Sequence, residues 1–285
     1  MATIEQDQAR IAYTEAGAGD PALLIHCSSA CGSEWHGLCE ALSGDFQLIA
    51  PDQWGCGKSD PWTGRGTFSL AEEAAPILDI IYRLGTPVHL VGHSYGGGVA
   101  LRIARKRPDL VRSLTLVEPS CFHLLRRGHA LDRALFGEIT RVAEDVKDAV
   151  ASGDYWRGMA RFVDYWNGEG AWEAMPHGTR LKLSQRLAKV VLDFRALFEE
   201  PATLAAYAAL TTPTMVLCGE RSPGPSRRIV DMLVSVMPRA RLVPIADAGH
   251  MSPMTHPEPV IAAIAEHLRR RTVGEPPLLP QNRAA

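Results

Sequence analysis

The fold follows from the stretch Val88-His89-Leu90-Val91-Gly92-His93-Ser94-Tyr95-Gly96-Gly97-Gly98, in which an apolar run leads into closely spaced glycines. Within it, Gly92 to Gly96 fits the pattern G-x-S-x-G, which places a serine on a sharp turn between a strand and a helix. Flanking side chains would clash in such a strained turn, so glycine is needed there. The turn exposes Ser94 Oγ at the carboxyl edge of a sheet, and we predict Ser94 as a nucleophile. The alternative is a glycine-rich turn in which Ser94 only caps the helix.

Apolar runs and helical patterns alternate along the rest of the chain. We predict strands at Ala22–His26, Phe46–Ala50, Val88–Val91, Leu114–Val117, Met215–Cys218 and Arg241–Ile245. Helical patterns are found at Leu70–Leu84, Tyr95–Lys106, Ser226–Met237 and Pro257–Arg270. Strands that are buried on both faces read as continuous apolar runs, and their alternation with helices indicates a mostly parallel sheet. The predicted fold class is therefore α/β, with a central sheet flanked by helices.

The alternation stops between Pro119 and Thr211. This part of the chain has almost no strand pattern and reads as amphipathic helices, such as Ala130–Ala151 and Tyr155–Trp166. It also holds more than half of the Trp, Tyr and Phe residues. We therefore predict a core domain in two parts, residues 1–118 and 212–271, interrupted by a helical cap at 119–211. Residues 272–285, rich in proline, are expected to be a disordered tail.

Three further motifs agree with the serine turn. His26-Cys27-Ser28 follows a strand, Asp52-Gln53-Trp54-Gly55-Cys56-Gly57-Lys58-Ser59 fits D-x-x-G-x-G-x-S, and Ala248-Gly249-His250 follows the last strand. With these motifs the chain resembles the α/β-hydrolase superfamily, in the branch with a helical cap, from about Ala9 to Arg270. The resemblance implies an α/β-hydrolase fold and a catalytic triad in the chain order Ser, acid, His.

His250 is the candidate general base. It follows the last predicted strand and precedes a helix that begins near Pro257. A histidine on that loop can reach over the sheet edge to Ser94, take its proton and return it to the leaving group. His93 and His256 are interpreted as a packing neighbour and a surface residue.

The position of the acidic triad residue differs from the family pattern. The family places an aspartate in a G-x-x-D turn after the cap, but here that turn reads Gly219-Glu220-Arg221-Ser222. We choose Glu118, which ends the strand after the nucleophile helix, where some haloalkane dehalogenases similarly place the acid. Glu220 and Asp247 remain alternatives. Glu118 could instead face solvent or pair with Arg112 or Arg126.

The resemblance also implies an oxyanion hole. Its donors would be the backbone N–H groups of Ser28 and Tyr95, which would stabilise a negatively charged acyl intermediate. Cys27 replaces the glycine that the family usually has in this loop. The alternative is that Ser28-Ser29 is only a polar turn. Arg126, Arg127 and Arg133 in the cap could suit an acidic group, although a solvated helix face explains them equally.

Composition limits the partners. The formal net charge of −2 argues against nucleic acid, and no apolar run is long enough for a membrane span. The N-terminus lacks the apolar segment of a secretory signal, and the six cysteines show no framework spacing, so we expect reduced thiols and a cytoplasmic location. We find no metal motif, and the expected mechanism needs no cofactor.

The sequence favours a serine hydrolase that cleaves an ester, thioester or lactone of a partly apolar small molecule through an acyl-enzyme. Alternatives are a ligand-binding protein on a hydrolase fold, a carbon–carbon bond hydrolase or a cofactor-free haloperoxidase-like enzyme. Acyl transfer to an alcohol or amine is also open. Haloalkane dehalogenases and epoxide hydrolases use an aspartate nucleophile, which Ser94 does not provide.

Overall fold

The computed structural model describes residues 2–6 and 9–272, and within them eight strands form one sheet in the order β1-β2-β4-β3-β5-β6-β7-β8. The strands are β1 Ala2–Gln6, β2 Ala9–Ala16, β3 Asp20–Ile25, β4 Phe46–Pro51, β5 Val88–His93, β6 Val111–Val117, β7 Thr214–Gly219 and β8 Ala240–Ile245. Pairing is antiparallel from β1 to β2 and from β2 to β4, and parallel across the other neighbours. The predicted mostly parallel sheet is confirmed.

Helices follow most strands of the described residues. They are α1 His36–Leu42, α2 Leu70–Leu84, α3 Tyr95–Lys106, α4 His123–Arg126, α5 Ala130–Ser152, α6 Tyr155–Asn167, α7 Ala171–Ala174, α8 His177–Ser184, α9 Leu187–Glu199, α10 Leu204–Ala208, α11 Gly224–Val236, α12 Ser252–Thr255 and α13 Pro257–Thr272. Capping residues define the boundaries of helix α2, which the sequence predicted. Ser69 Oγ accepts from the backbone N–H groups that begin α2, and Gly85, at φ +66°, ends it.

The sheet separates two apolar cores because its buried strands present alternate residues to opposite faces. Leu23 and Leu90 pack with α2, α3 and α11 on one face. Leu24 and Val91 pack with α1 and α13 on the other. This sandwich fixes the positions of the strand ends, from which the functional loops project.

The β1–β2 hairpin was not predicted. β1 is an edge strand in which Ile4 is the buried residue, and Thr3, Glu5 and Gln6 are polar. An edge strand needs to bury little, so its apolar pattern is weak.

Residues 118–213, all of which the structure describes, contain seven helices and no strand. The end of this helical segment is tied to α3 by a buried carboxylate. Glu200 accepts from Arg102 Nη1 at 3.1 Å and from Arg105 Nη2 at 2.6 Å. The segment is therefore anchored to the helix that begins directly after Ser94.

The sequence also predicted a disordered C-terminal tail and no membrane span. The tail predicted from residue 272 lies outside the described residues, except for Thr272, which ends α13. Among the described helices, none combines the length and hydropathy that a membrane span requires.

Candidate active site

Ser94 lies on the turn between β5 and α3 with φ at +53° and is almost fully buried. The turn is held by a hydrogen bond from Ser94 N to Val117 O at 2.9 Å. A Cβ on Gly92 would lie 2.5 Å from the carbonyl oxygen of Gly96, and one on Gly96 would lie 2.5 Å from that of His26. Both glycines are therefore required by close backbone approach, as the motif predicted.

His250 lies on the loop after β8, and its Nε2 is 2.9 Å from Ser94 Oγ. His93 Nε2 donates to the carbonyl oxygen of His250 at 3.0 Å, which fixes the loop. The indole of Trp166, from α6, covers the imidazole with ring centroids 4.2 Å apart. The side chain is consequently buried and faces the serine.

Glu118 follows β6 directly and is fully buried, with φ at +44°. Its Oε2 is 2.7 Å from His250 Nδ1. Its Oε1 accepts from Gly219 N at 2.7 Å and from Ser222 Oγ at 2.5 Å. Ser222, at the position of the aspartate in the family's G-x-x-D turn, therefore donates to the Glu118 carboxylate.

The alternative acids lie elsewhere. Glu220 and Asp247 are exposed; Glu220 Oε2 accepts from Asp247 N at 3.4 Å, and Asp247 pairs with Arg221. Arg112, an alternative partner for Glu118, pairs with Asp20 at 2.8 Å. The structure thus brings together Ser94, His250 and Glu118, and neither alternative carboxylate contacts the imidazole.

The protonation states suit a base and its acid partner. Burial lowers the pKa of His250 below its ordinary value, although the hydrogen bond and charge of Glu118 pull it upward. Burial alone would raise the pKa of Glu118, but the hydrogen bonds from His250, Ser222 and Gly219 bring it below its ordinary value. At neutral pH the imidazole is neutral and the carboxylate ionised, which is the state in which His250 can accept a proton.

The predicted oxyanion donors flank Ser94. Ser28 follows β3, Tyr95 begins α3, and both line a small cavity that reaches Ser94. Within the described residues neither backbone N–H has a hydrogen-bond acceptor, and the first N–H groups of a helix lack one within the helix. Ser29, at φ +61°, shapes the turn that follows Ser28. Both amides are free to donate to a ligand.

A buried ion pair next to Cys27 was not predicted from the sequence. Glu34 Oε1 is 2.5 Å from His93 Nδ1, and Glu34 Oε2 accepts from Cys27 N at 2.8 Å. Burial opposes the charged form of His93, but Glu34 raises its pKa above the ordinary value. The pair connects the loop of Cys27 and Ser28, the turn of His93 and Ser94 and, through His93, the loop of His250.

A second buried network, also missed, links the helical segment to the same loop. Lys189 Nζ donates to Glu73 at 2.8 Å and to Asp193, and Asp193 accepts from Ser28 Oγ. Tyr95 Oη donates to Glu73 at 2.8 Å. Burial raises the pKa of Asp193 above its ordinary value, although the charge of Lys189 pulls it downward.

Cys27, Glu34 and His93 form a group of possible metal ligands in the described part of the chain, with their ligand atoms within 4.8 Å of one another. Glu34 and His93 already bond each other, however. Burial also raises the pKa of the Cys27 thiol well above its ordinary value, which disfavours the thiolate that binds metals. The arrangement fits a hydrogen-bonded cluster better than a metal centre.

A cavity of about 470 Å³ opens above Ser94 and His250, within the usual range for small-molecule sites. Phe162, Val163 and Trp166 of α6 form much of its apolar wall. A further hydroxyl, Ser120 Oγ, lies 3.2 Å from Ser94 Oγ and was not singled out from the sequence. Arg126 and Arg127 line a different cavity, beside α11.

The indole of Trp166 excludes water from His250, so Trp166→Ala should raise the imidazole pKa toward its ordinary value of about 6.5. The pKa can be followed by NMR titration of the ring. Trp156→Ala is the matched control, because Trp156 packs on Trp172 and His177 instead. An unchanged pKa in the Trp166 variant would show that this cover does not desolvate the base.

The sequence matches the model of the alpha/beta hydrolase family over residues 22–263. Haloalkane dehalogenase 2 of Mycobacterium tuberculosis is 26% identical over 274 residues, which are 92% of each chain. An uncharacterized protein of the same organism is 40% identical over 109 residues, and these make up 38% of this chain and 31% of that longer relative.

The structure also resembles a thermophilic esterase from Thermogutta terrifontis, solved with malate bound. That protein is 26% identical, the match covers 94% of this chain and 97% of the esterase, and the TM-score is 0.68. The family match covers most of the chain, and the observed sheet and serine turn agree with it. This chain belongs to the alpha/beta hydrolase family.

Proposed function

We propose that this protein is a hydrolase that cleaves an ester, thioester or lactone bond of a partly apolar small molecule through an acyl-enzyme on Ser94. The observation that carries the proposal is the unbroken hydrogen-bonded series from Ser94 Oγ through His250 to Glu118, at 2.9 Å and 2.7 Å. A neutral imidazole between a hydroxyl and a buried carboxylate is the arrangement that activates a serine.

In the first half of the reaction, Ser94 Oγ attacks the substrate carbonyl carbon while His250 Nε2 takes its proton. The resulting imidazolium is stabilised by Glu118. The carbonyl oxygen becomes negatively charged and accepts from the N–H groups of Ser28 and Tyr95. When the intermediate collapses, His250 gives the proton to the leaving oxygen or sulfur, and the acyl group stays on Ser94.

In the second half, water replaces the leaving group. His250 takes a proton from the water, whose oxygen attacks the acyl carbon, and the second tetrahedral intermediate uses the same donors. Its collapse returns the proton to Ser94 Oγ and releases a carboxylic acid. The proton balance closes, and the step consumes one water.

We also propose that residues 119–211 act as a cap. The cavity walls from α6, together with Met175 and Leu183, belong to this segment, whereas Ser94 and His250 belong to the sheet edge. A substrate would bind between the two, with its apolar part against the helices.

The relatives include a haloalkane dehalogenase, but its chemistry does not transfer readily to this chain. Haloalkane dehalogenases use an aspartate nucleophile, which forms an alkyl ester with the substrate. This chain has Ser94 at the nucleophile position, and a serine favours acyl chemistry. On the sequence alone, Ser222 in place of the family's aspartate favours a ligand-binding protein without a triad. Because its hydroxyl donates to Glu118, that feature supports an enzyme instead.

A fluorophosphonate probe should label Ser94 stoichiometrically, because the activated serine attacks phosphorus as it would a carbonyl carbon. Intact-mass and peptide mass spectrometry would locate the adduct. Ser94→Ala should remain unlabelled, and Ser120→Ala, the neighbouring hydroxyl, should still react at Ser94. Absence of labelling in the native protein would contradict a serine hydrolase and favour a binding protein.

Glu118→Ala should lower kcat by on the order of 10³-fold or more, since the imidazole loses both its orientation and its counter-charge. Glu220→Ala is the matched control and should stay within about threefold of wild type, because an exposed carboxylate outside the site has no such role. Both can be measured on p-nitrophenyl acyl esters after checking the fold by circular dichroism. If Glu220→Ala is the more damaging change, the acid has been wrongly assigned.

A rescue variant sharpens this comparison. Ser222 stands where the family usually has its acid, so adding Ser222→Asp to Glu118→Ala should recover part of the lost kcat. No recovery in a folded double variant would mean that position 222 cannot present a carboxylate to His250.

A further inference from the structure

The cavity above Ser94 is apolar inside and carries two cations. Ser94 and His250 at its floor are buried, whereas Lys182 at the end of α8 is exposed and Arg186 before α9 is half-buried. The cations therefore lie toward the opening. A substrate whose carbonyl carbon is at Ser94 would point its other end at them.

The charges around this cavity are otherwise compensated. Glu34, the acidic residue in the lining, is bonded to His93 at 2.5 Å, and His250 is neutral at pH 7 because burial lowers its pKa. Within residues 9–272, no carboxylate lies within ion-pair distance of Lys182 or Arg186. Neither cation at the cavity opening therefore has a carboxylate partner among the described side chains.

Arg186 is held in a defined position. Its Nη1 donates to the carbonyl oxygens of Ser29 at 2.5 Å and Ala30 at 3.2 Å, directly after the oxyanion loop. This leaves the edge formed by Nε and Nη2, whose two parallel N–H groups match the spacing of carboxylate oxygens. Because backbone carbonyls already orient the guanidinium, little additional ordering is needed to bind an anion.

We propose that Lys182 and Arg186 bind a carboxylate at the end of the substrate remote from the scissile bond. The substrate class is then an ester or thioester of a dicarboxylic acid, with an apolar chain between the two carbonyl carbons. The apolar walls contact the chain, and the two cations select its charged end. This inference rests on the proposed function, which supplies the reaction at Ser94. The preference for a charged substrate end follows from the residues that line the cavity.

The test compares two p-nitrophenyl esters of equal chain length, the hexanoate and the mono-ester of adipic acid. The readout is the ratio of kcat/KM for the adipate ester to that for the hexanoate ester, in which any loss common to both substrates cancels. In Lys182→Gln/Arg186→Gln the ratio should fall at least about tenfold, as expected for lost charge-assisted hydrogen bonds. Lys147→Gln removes a charge from an exposed position of α5 that does not line the cavity, and it should keep the wild-type ratio.

Binding without turnover separates this inference from the proposed reaction. Calorimetric titration of Ser94→Ala should show tighter binding of monomethyl adipate than of methyl hexanoate, and the preference should weaken at high ionic strength and in the double variant. If neither p-nitrophenyl ester is cleaved but monomethyl adipate binds more tightly, the proposed reaction fails and the anion site stands. If both esters are cleaved with a ratio that the double variant does not change, the anion site is overturned and the reaction stands.

Discussion

The site depends on how one buried carboxylate is stabilised. Glu118 has no exposed surface, and a buried charge is tolerated only when hydrogen bonds replace its water. Two of its three donors, Gly219 N and Ser222 Oγ, hold Oε1, which leaves Oε2 for His250 Nδ1. That last bond sets the tautomer in which Nε2 lacks a proton and can accept one from Ser94. Without Glu118 the imidazole would lose its orientation and its means of stabilising a positive charge.

Backbone strain is concentrated at the same sheet edge. Among the described residues, the non-glycine residues with positive φ are Ser29, Ser94, Glu118 and Asp247, on the loops that follow β3, β5, β6 and β8. Each such conformation costs about 1–3 kcal/mol and persists only where the surroundings enforce it. Here the enforcement comes from close glycine contacts, backbone bonds between neighbouring strands and the buried pair of Glu34 and His93. The packed sheet thus fixes the strand ends, and these contacts hold the strained loops that follow them.

The sequence predicted those parts of the site whose residues lie in short, recognisable motifs. The glycines around Ser94, the histidine after the last strand and the strand-end position of Glu118 could be interpreted without coordinates. The supporting contacts could not, because they join residues far apart in the chain: His93 bonds Glu34 across 59 residues, and Lys189 bonds Glu73 across 116. A buried lysine in an amphipathic helix reads as a surface residue until its partners are known. The β1–β2 hairpin was missed for a related reason, since an edge strand buries too little to show a clear pattern.

The helical segment contributes to the site as well as covering it. Trp166 covers the base, Asp193 bonds the Ser28 side chain, and Arg186 bonds the loop that follows. The most direct measurement of the central claim is a crystal structure of the phosphonylated protein. We predict phosphorus bonded to Ser94 Oγ, a phosphoryl oxygen within hydrogen-bond distance of the N–H groups of Ser28 and Tyr95, and His250 Nδ1 still bonded to Glu118. Phosphorus attached to another residue, or a His250 ring separated from both Ser94 and Glu118, would contradict it.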